Sequence, residues 1–156
     1  MPIIRRNAEI EEQNDNRVVG PTRNINFSDA GGLSQFGAFV QVLPPGSRSS
    51  IKHWHAVEDE FVYMLSGEVL LHEGDTTTKL RPGEAACFPA GAALGHCLEN
   101  ISKEDAHYLV VGTRSMETET VIYPDDNRKL TFNRADNTRS WEDHNGAEAG
   151  NPYQGA

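Results

Sequence analysis

Short apolar segments, each closed by turn residues, set the texture of the middle of the chain. They run 36–43, 51–55, 60–66, 68–72, 76–80, 84–88, 96–101 and 106–114, and Pro44-Pro45-Gly46, Gly67, Gly74-Asp75, Arg81-Pro82-Gly83 and Pro89-Ala90-Gly91 separate several of them. Runs this short with Gly and Pro at the corners predict β-strands and leave no length for helices. Many short strands at close spacing predict an all-β sandwich or barrel.

The flanks read differently. Residues 1–35 are polar, broken by Gly20-Pro21 and Gly31-Gly32, with a charged patch from Glu9 to Asp15. They predict an arm that cannot fold alone, with one short strand over 25–27. Beyond Arg114, short extended pieces are expected over 119–123 and 130–133, and the Gly-, Asn- and Asp-rich stretch 136–156 reads as loosely ordered. A chain of 156 residues holds one domain. The expected organisation is therefore an N-terminal arm (1–35), a barrel (36–114), and a C-terminal extension (115–156) packed on the barrel or trailing from it.

The chemistry gathers around histidine. His53 and His55 are separated by one residue in a predicted strand, so both imidazoles project from one face, with Cα atoms about 6–7 Å apart. Two rings at that spacing can share an ion, although surface strands carry such pairs by chance as well. Gly46 precedes the pair, Glu60 follows His55 after four residues, and Gly67 follows Glu60 after six. Farther on come Gly83, Pro89, Gly91, His96 and Asn100, a second glycine-punctuated hairpin with a histidine.

Together these two stretches resemble the paired motifs of the cupin superfamily, over residues 46–100. Two spacings depart from the pattern. Six residues rather than five separate Gly46 from His53, and four rather than two separate Gly91 from His96. Both insertions fall in predicted loops, so strand parity is kept. The resemblance implies an all-β double-stranded β-helix, or jelly-roll barrel. It also implies one divalent transition metal held by His53, His55, Glu60 and His96. Glu58 competes with Glu60 for the fourth place, but the spacing to Gly67 matches Glu60, which leaves Glu58 at the mouth of the barrel. Three imidazoles and a carboxylate suit Fe, Mn, Co, Ni or Zn without selecting among them. In a six-coordinate ion they leave two positions for a chelating oxygenated substrate.

On the parity of Glu60, Val62 and Met64 should line the interior, while Phe61, Tyr63 and Leu65 face outward, either packed on other segments or forming the homodimer contact common among similar proteins. Cys87 and Cys97 read as small buried side chains rather than a disulfide or a metal knuckle. His72, His107 and His144 match no motif position.

Charge narrows the function. Fourteen Lys and Arg against 23 Asp and Glu give a net charge of −9, a field that repels nucleic-acid backbones and anionic membrane surfaces. It also weighs mildly against a phosphorylated substrate. No apolar stretch is long enough to span a bilayer and no secretory leader is legible, so a cytoplasmic location is expected. The expected partner is a small molecule. The leading expectation is a metal-dependent enzyme, an isomerase of sugars or sugar phosphates or a dioxygenase-type enzyme, with Glu58 as acid or base and Arg48 as the cation for an anionic group. The alternatives are a non-catalytic module that binds a small ligand or a metal, and a barrel that its metal only staples.

Overall fold

The computed structural model describes residues 3–155. An N-terminal hairpin, β1 (Glu11–Asn16) and β2 (Gly20–Ile25), leads into a one-turn helix α1 (Phe27–Ala30). Eight strands follow: β3 (Phe36–Leu43), β4 (Trp54–His55), β5 (Glu60–Ser66), β6 (Val69–Glu73), β7 (Thr76–Leu80), β8 (Ala85–Phe88), β9 (His96–Glu99) and β10 (Ala106–Thr113). Three more, β11 (Thr118–Tyr123), β12 (Arg128–Asn133) and β13 (Thr138–Glu142), complete the set. The fold is an all-β jelly roll, as the spacing of turn residues predicts. Among the described residues, no helix is long and apolar enough to cross a membrane.

One wall is a six-stranded sheet in the order β1-β2-β3-β10-β5-β8. Facing it are a three-stranded sheet, β7-β6-β9, and a four-stranded sheet, β13-β12-β11-β4. A backbone bridge between His53 and His96 joins these two sheets edge to edge. Between the walls lies the core, built from Leu43, Val62, Met64, Val69, Leu80, Phe88, Leu98, Tyr108 and Val110. Along β5 the burial alternates as expected: Val62 and Met64 are buried, whereas Tyr63 and Leu65 are exposed on the outer face. Period-two patterning puts Glu60 on the inner face with Val62 and Met64.

The motif glycines close the corners. Gly67 sits at φ +73, and a Cβ there would lie 2.9 Å from Ala106 Cα and the Asp105 carbonyl oxygen, so only glycine lets β5 turn against β10. The two loop insertions fall where parity is indifferent. Ser49 N–H donates to the Leu98 carbonyl, and Ser49 Oγ accepts from Leu98 N–H, so the longer 47–52 loop runs beside β9 without shifting it.

Three expectations need correction. The strand expected over 25–27 is instead the hairpin β1–β2 followed by α1. β1 is wholly polar, and its register comes from pairing with β2 across an Asn16 side chain that accepts from Val18 and Val19 N–H. Residues 138–142, expected to be loose, form β13, paired with β12 through a turn in which Asn137 takes φ +57. Cys87, expected to be buried, is exposed, while Cys97 is buried.

The C-terminal strands carry a second small core of Val121, Tyr123 and Leu130, against which Ile51, Phe132, Trp141 and Tyr153 pack. Burying one large aromatic is worth about 1.5–3 kcal/mol. Trp141→Ala should therefore destabilise the folded chain by about 2 kcal/mol, read as a lower midpoint in denaturant at unchanged slope. An unchanged midpoint would mean that the extension adds nothing to the barrel.

Candidate metal centre

The bridge from His53, just before β4, to His96 of β9 fixes two of the histidines. His53 N–H donates to the His96 carbonyl at 3.2 Å, and His96 N–H returns a bond to the His53 carbonyl at 2.9 Å. Paired backbones bring the rings to 4.9 Å between centroids. His55, two residues on, lies edge-on to His53 at 5.0 Å. Glu60 opens β5 on the opposite wall, between Gly112 of β10 and Phe88 of β8.

Its carboxylate is hydrogen-bonded to one ring and stands near the other two. Glu60 Oε2 lies 2.9 Å from His96 Nε2, 3.5 Å from His55 Nε2 and 4.0 Å from His53 Nε2. Ligand atoms of His53, Glu60 and His96 all fall within 4.8 Å of one another, whereas those of His55 group in the same way with Glu58 and Glu119. His53 Nδ1 lies 2.9 Å from the Ile51 carbonyl oxygen, which can only accept, so Nδ1 carries the proton and the Nε2 lone pair faces Glu60. Phe88 stacks on His96 at 3.6 Å and 6°, which holds that ring in plane.

Burial and charge pull against each other here. Desolvation lowers the His53 imidazole to about 4, with Glu60 acting in the opposite direction. Burial also works against a charged His55, yet the hydrogen bond and charge of Glu60, then the charges of Glu119 and Glu58, hold it above its ordinary value. Burial disfavours an ionised Glu60, but contacts from His55 and His96 hold its carboxyl well below the usual range. The cluster thus combines an anionic oxygen with imidazole nitrogens, one of which resists protonation. That donor set fits a divalent transition metal.

Two cavities are lined by both Glu60 and a histidine of the cluster. The inner one, about 120 Å³, is bounded by His53, Glu60 and His96 together with Phe39, Val62 and Tyr108. There the buried Tyr108 hydroxyl donates to Gln41 Oε1, and Gln41 Nε2 donates to Asn24 Oδ1 at 2.9 Å. The outer one, about 280 Å³, is lined by His55, Glu58, Glu60, Arg114 and Arg134 among others.

Glu58 lines this outer cavity, but its carboxylate is engaged. Arg134 Nη2 donates to Oε1 at 2.8 Å and to Oε2 at 2.9 Å, and Ser115 N–H donates to Oε1 at 2.8 Å. Arg48 is not brought to the cluster. It lies in the loop before β4, half exposed, 3.4 Å from Glu99, whose same oxygen lies 2.6 Å from His72 Nε2.

Sequence reasoning missed Glu119 and Arg134. Glu119 is fully buried and accepts N–H bonds from Ala56 and Val57, which pins the chain between His55 and Glu58. Its only signal was a carboxylate on the inward parity of an extended piece. Arg134 lies in a polar turn, and no local pattern ties it to Glu58, 76 residues away.

Residues 39–112 match the cupin domain family. A solved sugar phosphate isomerase of the cupin superfamily from Silicibacter pomeroyi superposes with a TM-score of 0.83 at 30% identity, covering 97% of this chain and 100% of its own. The chain belongs to the cupin superfamily. A second solved cupin-fold structure, from Acidithiobacillus ferrooxidans, is 28% identical over 84% of this chain and 81% of its own, with a TM-score of 0.75. The oxalate-binding protein of Thermotoga maritima is 32% identical over 69 residues, which is 44% of this cupin. The match spans about half of that relative, 54% of its length.

If the four side chains hold an ion together, metal content should fall when any is removed. His53→Ala and His96→Ala should each weaken metal affinity by about tenfold or more, measured by competition with a chelator. Elemental analysis should find the double variant without metal, and stoichiometric metal retained there would contradict the ligand set.

Proposed function

We propose that this cupin binds one divalent transition metal through His53, His55, Glu60 and His96. We further propose that it acts as a metal-dependent enzyme on a small oxygenated substrate, in the manner of a sugar or sugar-phosphate isomerase or of a dioxygenase. The observation that carries the reading is the approach of three imidazole Nε2 atoms to one carboxylate oxygen at 2.9, 3.5 and 4.0 Å. When bound, a divalent cation supplies Lewis-acid polarisation of a substrate oxygen.

The chain's own residues prepare the site. Ile51 fixes the His53 tautomer, Phe88 holds the His96 ring, and Glu119 braces the backbone after His55. Phe39, Val62 and Val110 line the inner cavity and limit its water, which strengthens electrostatic contacts inside. Glu58 shares the mouth with His55 and Glu60, and is our candidate for moving a substrate proton. Arg48, paired with Glu99, receives no part. Near-complete overlap with a sugar phosphate isomerase favours isomerisation. The match to an oxalate-binding protein supports a second reading, a module that binds a small dicarboxylate without turnover.

A single assay separates the two. Protein loaded with each of Fe, Mn, Co, Ni and Zn is offered aldoses, sugar phosphates, keto acids and oxalate, with and without dioxygen. Metal-dependent turnover of at least one substrate, abolished in Glu60→Gln and reduced about a hundredfold in Glu58→Gln with metal retained, is the expected result. Oxalate binding without turnover of any substrate would establish the second reading instead.

A further inference from the structure

Beside the mouth of the metal centre lies a cavity of about 330 Å³ whose lining holds three arginines, Arg114, Arg134 and Arg139, with Ser34, Asn137 and Phe132 and no acidic residue. In a chain with 23 acidic and 14 basic residues, such a lining runs against the overall charge. Arg114 and Arg134 also line the cavity that contains His55 and Glu60, so the two spaces adjoin across a shared wall of guanidinium groups.

The three arginines are held in different ways. Arg114 donates to Asp29 Oδ1 at 2.6 Å and to the Leu33 carbonyl at 3.3 Å. Arg134 gives Nε and Nη2 to Glu58. The side chain of Arg139, exposed on β13, makes no hydrogen bond or ion pair among the described residues. Its guanidinium carbon stands 5.5 Å from the centroid of Phe132, and that of Arg134 stands 4.7 Å from the same ring. One aromatic ring therefore gathers two guanidinium groups; Arg134 spends Nε and Nη2 on Glu58, so the N–H groups free for a ligand are those of Arg139 and Nη1 of Arg134. Glu58 already balances the charge of Arg134, which leaves Arg139 as the unbalanced cation, and a bound anion would pair with it while accepting charge-assisted hydrogen bonds.

We propose that the Arg114–Arg134–Arg139 cavity is an anion subsite that takes the phosphate or carboxylate group of the substrate whose other end enters the Glu60 cavity. The bridging half of this proposal rests on the function proposed above; the anion subsite itself does not. The preference of the net charge for uncharged substrates is then reversed locally, and the cationic role that Arg48 does not fill passes to residues of the β10–β13 region.

The test titrates the whole chain with inorganic phosphate and, separately, with acetate by calorimetry, in metal-loaded and chelator-treated protein. Saturable binding of at least one anion is expected in both forms, weakened about tenfold or more in Arg139→Gln and in Arg114→Gln, and weakened by added salt. The anion that binds more tightly identifies the group. Equal affinity in wild type and both variants, or no saturable binding of either anion, would overturn the subsite.

A second titration compares phosphoglycerate, which carries a hydroxy-acid end and a phosphate end, with glycerate. In metal-loaded protein phosphoglycerate should bind more tightly than either phosphate or glycerate, and lose that advantage in Arg139→Gln. Phosphoglycerate binding no more tightly than phosphate would overturn the bridging, even with the subsite intact. Protein that retains no metal yet binds phosphate through Arg139 would count against the metal-dependent function and leave the subsite standing.

Discussion

The two backbone hydrogen bonds between His53 and His96 are the constraint on which the rest of the site depends. They join the β7-β6-β9 sheet to the β13-β12-β11-β4 sheet, so the wall facing Glu60 becomes continuous at the point where the histidines stand. Strand parity then does the remaining positioning. Once His53 is paired, His55 must share its face, and once β5 is registered against β10 and β8, Glu60 must face both. A one-residue slip on either wall would send the imidazoles or the carboxylate to the outer surface.

That geometry concentrates unlike groups in a poorly hydrated space. A carboxylate is costly to bury unless it is paired, and the contacts from His55 and His96 are what keep Glu60 ionised there. Burial in turn keeps His53 neutral well below its ordinary value. The site is thus an anionic oxygen beside nitrogen lone pairs, braced from behind by Ile51, Phe88 and Glu119. The C-terminal strands belong to this arrangement rather than trailing from it. β11 pairs with β4, the strand that bears His55, and Tyr123 packs 5.8 Å from the His53 ring.

The barrel was legible because it rests on local signals, and the four candidate ligands because they match the cupin motifs. Turn residues marked the strand ends, alternation marked Val62 and Met64 as interior, and the spacing from Glu60 to Gly67 separated Glu60 from Glu58. What escaped notice rests on long-range pairing. β1 has no apolar face to read, since its six residues are polar and acquire their strand form from β2 and its connection to β3. β13 lies among Gly, Asn and Asp residues whose left-handed turns look, in sequence, like loose chain. Glu58 could be singled out from its spacing, but its partner Arg134 comes from a distant turn. The overall charge argued mildly against an anionic ligand because it averages over the surface, whereas the three arginines beside the mouth are gathered by the fold.

The central claim is that His53, His55 and His96 bind a metal together with Glu60. X-ray absorption at the metal edge of the loaded protein tests it most directly. The account predicts a shell of nitrogen and oxygen at about 2.0–2.2 Å, with the outer-shell scattering of imidazole rings, reduced when His55 is replaced by Ala. Sulfur in the first shell, drawn from Cys87 or Cys97, or an imidazole signal unchanged by that replacement, would contradict it.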